Sequence, residues 1–302
     1  MRRLVPGTLA LLLLLGGCSA APGASSPPQI VVTTNILGDV VGNIVGGEAD
    51  VTVLMKPNAD PHSFEISAQE AARLAAADLV VSNGLGLEEG LQQHLDRAES
   101  ANVPMLVAGD ETDALPYAAG DAAGAADPHF WTDPGRMIDV VDAIEASLIG
   151  IDGIDAAVVR AHAEGYRAAL EDLDVEMTRA FSAIDEGDRA LVTNHHVFGY
   201  LADRFGFRIV GAVIPGGTTL AAPSAADLRD LAAAIKEAGV RTIFAESSQP
   251  DRLVRVLADE VGLDVDVVEL FTESLTEPGG GADTYLDMMR ANTERIAHGL
   301  TS

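Results

Sequence analysis

The 302-residue chain has a single cysteine, Cys18, so it can form no internal disulfide, and any zinc site within it must be built from His, Asp and Glu. Lysine is almost missing too: Lys56 and Lys236 are the only two, and arginine supplies the rest of the 19 basic residues. Set against 46 acidic residues, these leave a formal net charge of −27, which argues against a nucleic-acid surface and against a polybasic membrane patch. The acidity draws cations towards the surface in general and selects none of them. Three familiar chemical motifs are also absent: HExxH, the GxSxG nucleophile elbow and the phosphate-cradling GxxxxGK[ST].

No apolar run is long enough for a stable bilayer span. The one that ends at Leu15 follows Arg2 and Arg3 and leads into small residues, the pattern of a secretory signal peptide. Leu15-Gly16-Gly17-Cys18 fits the bacterial lipoprotein signal, in which the cysteine becomes the lipidated first residue, and Cys18 stands where that acceptor belongs. The competing reading is an ordinary signal peptide with a stray cysteine nearby. Residues 1–17 are therefore expected to be removed, and residues 18–28, rich in Ser, Ala, Gly and Pro, to form a flexible tether.

Beyond the tether, short β-rich runs alternate with helical stretches. Residues 30–34, 50–54, 78–82 and 104–107 read as buried strands, with helical spacing over 36–45, 67–76 and 87–98. The second half repeats the plan: strands over 190–193, 207–213, 242–245 and 265–269, and helices over 196–205, 224–238, 250–261 and 284–298. This alternation predicts an α/β fold of two βαβ-type lobes with parallel sheets, spanning 29–152 and 186–302. Between them, residues 153–185 predict one long helix, with Val158, Tyr166, Leu170, Leu173, Met177 and Phe181 along one stripe and no proline. A single helix of that kind would act as a rigid strut and leave little room for a large hinge motion.

Seven histidines are present. His94, His162 and His298 lie among polar residues in predicted helices and read as solvated. His62, His129, His195 and His196 follow predicted strands, where open α/β sheets bind ligands. Three imidazoles from separate loops and one carboxylate would close a tetrahedral metal shell, and Asp283, before the last helix, is a candidate carboxylate. The alternative is that each histidine is simply a loop or capping residue, and pattern alone does not separate the two.

Five segments resemble, in order, the metal-specific solute-binding lipoproteins of bacterial ABC importers, the zinc and manganese group. They are PHSFE around His62, DPHFWTDP around His129, HHVFGYLADRFG from His195, FAESSQP around Glu246 and DTYLDMMRAN from Asp283. The resemblance implies two lobes bridged by a long helix, with the metal in the cleft between them. It also implies His62, His129 and His195 as ligands, with Asp283 completing the shell. A histidine at position 195, where manganese-type members carry glutamate, favours one Zn2+ per chain as the transported ion. Glu246 is expected to support the site from behind, with direct ligation or an unrelated surface role as its alternatives, and His196 to face outward or serve as an alternative ligand. Phe130 and Trp131 are expected to pack against the His129 loop. Two departures stand out: residues 109–126 carry four acids and none of the histidines common in zinc-type members, and His196 replaces an acidic or small residue.

The expected protein is thus an exported, lipid-anchored monomer outside the cytoplasmic membrane, which hands its metal to an ABC permease, with a metallochaperone as a further possible partner. It is not expected to be an enzyme, because three histidines plus Asp283 would leave no open metal position for water. Three other readings are a manganese carrier of the same family, a surface adhesin on the same fold, and a membrane-anchored zinc hydrolase. A siderophore or cobalamin binder would need a wide aromatic cleft, which a 4% aromatic content does not supply. The glycine-rich loop carrying Asp283 is the segment expected to move on binding, with Pro61 and Pro128 fixing the loops of His62 and His129.

Overall fold

The computed structural model describes residues 26–118, 122–249, 251–261 and 265–301. Cys18, the signal peptide and most of the expected tether lie outside the described residues.

In the first lobe, β1 (Gln29–Val32), β2 (Asp50–Val53), β3 (Leu79–Ser82) and β4 (Met105–Val107) form one parallel sheet in the order β2-β1-β3-β4. The helices α1 (Asn35–Val45), α2 (Ala68–Leu74), α3 (Gln92–Ser100) and α4 (Pro134–Leu148) flank it. In the second lobe, β5 (Ala190–Thr193), β6 (Arg208–Ala212), β7 (Thr242–Glu246) and β8 (Asp266–Leu270) pair in the equivalent order β6-β5-β7-β8, again all parallel. Here α6 (Gly199–Phe205), α7 (Ala225–Ala238), α8 (Arg252–Val261) and α9 (Tyr285–Thr301) follow the strands. The two halves share topology without sharing sequence.

α5 (Ala156–Ser182) is the strut. Asp155 caps its first turn, accepting the Ala157 backbone N–H at 2.8 Å, and its 27 residues run unbroken. Gly165 costs about 1 kcal/mol relative to alanine in a helix interior. That is small beside the roughly 1.5–3 kcal/mol that burial of each large apolar side chain contributes. Leu170, Leu173, Met177 and Phe181 are all fully buried. Val159 and Ala163 start the buried stripe; Val158, chosen from the sequence, is only half-buried one position away.

One apolar core runs through both lobes. It joins Val40 and Ile44 of α1 and Val141 and Ile144 of α4 to the α5 stripe, and continues into Tyr200, Phe205, Leu270, Tyr285 and Met288 of the second lobe. α9 closes back on the first lobe: the Tyr285 backbone N–H donates to Asp39 Oδ2 at 3.0 Å, and its hydroxyl donates to the Trp131 carbonyl at 2.7 Å. A shared apolar interface of this extent opposes free domain motion. α4 had no counterpart in the sequence reading. Asp133 caps it with Pro134 in its first turn, and Met137, Val140, Val141, Ile144 and Leu148 form its buried face. Among the described residues, no helix is long and apolar enough to cross a membrane.

Candidate metal centre

The carboxyl ends of the two sheets face one another, and four loops bring their side chains together there. His62 follows β2, His129 lies beyond β4, His195 follows β5 and Glu273 follows β8. All four are buried, and one donor atom from each lies within 4.8 Å of every other. Glu273 Oε1 is the common point, 3.1 Å from His62 Nε2, 3.3 Å from His129 Nε2 and 3.2 Å from His195 Nε2. The Nε2 atoms of His129 and His195 are themselves 3.3 Å apart. In a tetrahedral shell with bonds of about 2.0–2.1 Å, neighbouring donors stand about 3.3–3.4 Å apart. The donor spacing is that of a small cation's inner shell.

Behind two of the imidazoles stand carboxylates. Asp127 Oδ1 accepts from His129 Nδ1 at 2.7 Å and from the His129 backbone N–H at 3.0 Å. Asp127 is held in turn by Tyr200, whose hydroxyl donates to the Asp127 carbonyl at 2.7 Å. His195 Nδ1 pairs closely with Glu246 Oε1, and Asn194 Nδ2 donates to the other Glu246 oxygen at 3.3 Å. A carboxylate on Nδ1 fixes the tautomer that leaves the Nε2 lone pair free for a metal. Glu246 thus stands behind His195, outside the four-donor group. His62 differs: its Nδ1 is buried without a hydrogen-bond partner, with the half-exposed Glu89 carboxylate 4.0 Å away.

The electrostatics follow from this crowding. Burial alone would lower the His195 pKa, but the Glu246 and Glu273 carboxylates outweigh it and hold it well above the ordinary imidazole value. For His129, burial is likewise outweighed, by Asp127 and Glu273, and the pKa rises. Burial would raise the Glu273 carboxyl, yet His195, with hydrogen bonds from all three imidazoles, keeps it well below the usual carboxylate range. In the metal-free protein the cluster is a buried ion network whose protons a divalent cation must displace.

Aromatic packing seals the His129 side. Trp131 meets the His129 ring edge-on at 5.2 Å and donates its indole N–H to the Thr272 carbonyl at 2.8 Å, joining the His129 loop to the Glu273 loop.

Asp283 does not enter the cluster, and Glu273 occupies the place expected for it. The Asp283 side chain is exposed and accepts the Gly279 backbone N–H at 3.3 Å, within its own turn. Twelve residues of chain, including Gly279, Gly280 and Gly281, separate it from the end of β8, whereas Glu273 stands only three residues past that end. The strand-end rule that selected the histidines also selects Glu273; the more conspicuous glycine-rich motif drew attention away from it. His196 points elsewhere as well. It lines a neighbouring cavity of about 540 Å³ with Tyr117, Asp127 and Phe198, and its ring lies 6.4 Å from that of Tyr117. Burial, reinforced by His195 next door, lowers its pKa.

Two lobes on a rigid helix, with three imidazoles and a carboxylate buried between them, define a solute-binding protein for a metal ion. The comparisons agree. The family model described as zinc-uptake complex component A, periplasmic (ZnuA), matches residues 30–299. Zinc-binding protein TroA of Treponema pallidum is 30% identical over 306 residues, covering 99% of this chain and 98% of that protein. Manganese-binding lipoprotein MntA of Halalkalibacterium halodurans is 28% identical over 297 residues, covering 97% and 96%. The solved structure of the periplasmic zinc-binding protein TroA from Treponema pallidum matches with a TM-score of 0.83 at 28% identity, covering 91% of this chain and 99% of that one. The chain belongs to the ZnuA family, the periplasmic metal-binding components of ABC importers. Members of this family bind solute for transport and are not enzymes.

Proposed function

We propose that the protein captures zinc outside the cytoplasmic membrane, with His62, His129, His195 and Glu273 as the four ligands, and delivers it to the permease of an ABC importer. The observation that carries this reading is the convergence of three Nε2 atoms on one buried carboxylate oxygen at 3.1–3.3 Å. Three nitrogen donors and one oxygen suit zinc, which takes four ligands readily, better than a harder cation that prefers oxygen. In this reading the protein acts as a monomer, and lipidation of Cys18 tethers it to the membrane surface.

Manganese is the second reading, and one observation favours it. Glu273 Oε2 is buried without a hydrogen-bond partner, so the carboxylate has a second oxygen to offer a cation of higher coordination number. The two relatives divide in the same way, TroA being named for zinc and MntA for manganese. Competition between the two ions for protein purified without added metal decides between them. Zinc is expected to win at equal concentration by at least about a hundredfold, following the affinity order for nitrogen-rich sites. Preference for manganese under those conditions would replace the first reading with the second.

A further inference from the structure

Asp60 lies two residues before His62, and its carboxylate is a junction of four hydrogen bonds. Oδ1 accepts the His62 backbone N–H at 2.8 Å, which fixes the main chain at that histidine. Oδ2 accepts from Ser63 Oγ at 3.1 Å, from Thr219 Oγ1 at 2.7 Å and from Gln249 Nε2 at 2.8 Å. Thr219 belongs to the loop after β6, and Gln249 to the loop after β7, three residues beyond Glu246. Two of the four bonds therefore cross from the first lobe to the second.

The loop over residues 214–224 has a second anchor. The Tyr117 hydroxyl donates to the Gly217 carbonyl at 2.8 Å, and the Tyr117 ring lies 6.2 Å from that of His129. Glycine is needed at 217, because a Cβ there would stand 2.8 Å from the Tyr117 ring.

Some of the other ties between the lobes are built differently. The Glu273 loop is bound to the first lobe through buried groups: Asn35 Nδ2 donates to Ser274 Oγ at 2.8 Å, Asn35 Oδ1 accepts the Leu275 backbone N–H at 2.9 Å, and Trp131 donates to Thr272. Asp60, Thr219 and Gln249 are only half-buried, so water can replace their bonds without disturbing the core. His62 is also the one imidazole with nothing bonded to Nδ1, so its aim depends on the main chain that Asp60 holds.

We propose that Asp60 is a positioning residue for metal retention: it aims His62 through the backbone and latches that loop to the second lobe, so that the ion leaves when this junction opens. The proposal rests on metal capture at the four-donor site, whichever ion is carried.

Release of zinc, and separately of manganese, into excess chromophoric chelator tests it by stopped flow. The proteins are wild type, Asp60→Ala, the pair Thr219→Val with Gln249→Leu, and all three changes together. Asp60→Ala is expected to speed release about tenfold or more while association changes less than about twofold. The Thr219→Val, Gln249→Leu protein is expected to release several-fold faster, and the combined variant no faster than Asp60→Ala, since both remove one junction. Asp60→Asn, which keeps an acceptor for the His62 N–H, is expected to recover part of the loss. Release within twofold of wild type in both Asp60→Ala and the paired variant would overturn the proposal. So would full additivity in the combined protein, because Asp60 would then act apart from Thr219 and Gln249. If Asp60→Ala does not fold, the paired variant carries the test, and unchanged release in it overturns the latch. A wild-type protein that binds neither ion would overturn the metal site itself and the latch with it.

Discussion

His129 and His195 are held in one way and His62 in another, although all three present Nε2 to the same oxygen of Glu273. The first two have buried carboxylates on Nδ1, Asp127 and Glu246, so their tautomer and ring orientation are set before any ion arrives. His62 has an unpartnered Nδ1 and takes its orientation from a backbone bond to Asp60. The site thus combines a preorganised half, spanning both lobes, with one ligand whose placement depends on how the loops meet. A binding protein that must also release its cargo has use for that asymmetry: two donors keep capture fast, and the third offers a place to let go.

Removal of the backing carboxylates separates the two kinds of support. Asp127→Asn and Glu246→Gln are each expected to weaken zinc binding about 10–100-fold, the usual effect of losing a partner behind a ligating histidine. Glu89→Gln is expected to change affinity less than about twofold, since Glu89 stands 4.0 Å from His62 Nδ1 and is half-exposed. Calorimetric titration of the three variants checks both halves. Equal losses at all three positions would mean that the histidines are held alike.

A smaller effect, in proton release, sharpens the same contrast. The pKa values of His195 and His129 lie above the ordinary imidazole value of 6.5 in the metal-free protein, so these rings keep protons where a free imidazole has begun to lose them. Zinc must displace those protons, so affinity is expected to rise with pH through and beyond that value, with protons released on binding. Because Glu273 is held well below the carboxylate range, acid should expel the ion by protonating imidazoles before it neutralises this carboxylate. Glu246→Gln, which removes the largest of the charges that raise His195, should release fewer protons. Titration heats in buffers of different ionisation enthalpy measure this, and heats independent of buffer would contradict it.

Much of this architecture was legible in the sequence because periodicity records burial. The strands and the strut are patterned by what they bury, and even α4 carries its signal at Met137, Val140, Val141, Ile144 and Leu148, behind an Asp133-Pro134 start. The three histidines were legible because strand ends are where α/β sheets place ligands. That rule yields candidates and no order among them. Glu246 and Glu273 both follow strands; one backs His195 and the other faces it, a difference set by side-chain direction that no spacing encodes. Glycines around Asp283 suggested a mobile ligand loop, yet the carboxylate in the cluster comes from residues that Asn35 and Trp131 fasten to the first lobe.

Capture at this site depends on which carboxylate completes it. Zinc affinity of Glu273→Gln and Asp283→Asn, measured side by side by chelator competition, addresses this directly. The geometry predicts a loss of at least about a hundredfold for Glu273→Gln, which keeps the shape and removes the charge, and a change below about twofold for Asp283→Asn. Wild-type affinity in Glu273→Gln, together with a large loss in Asp283→Asn, would contradict it.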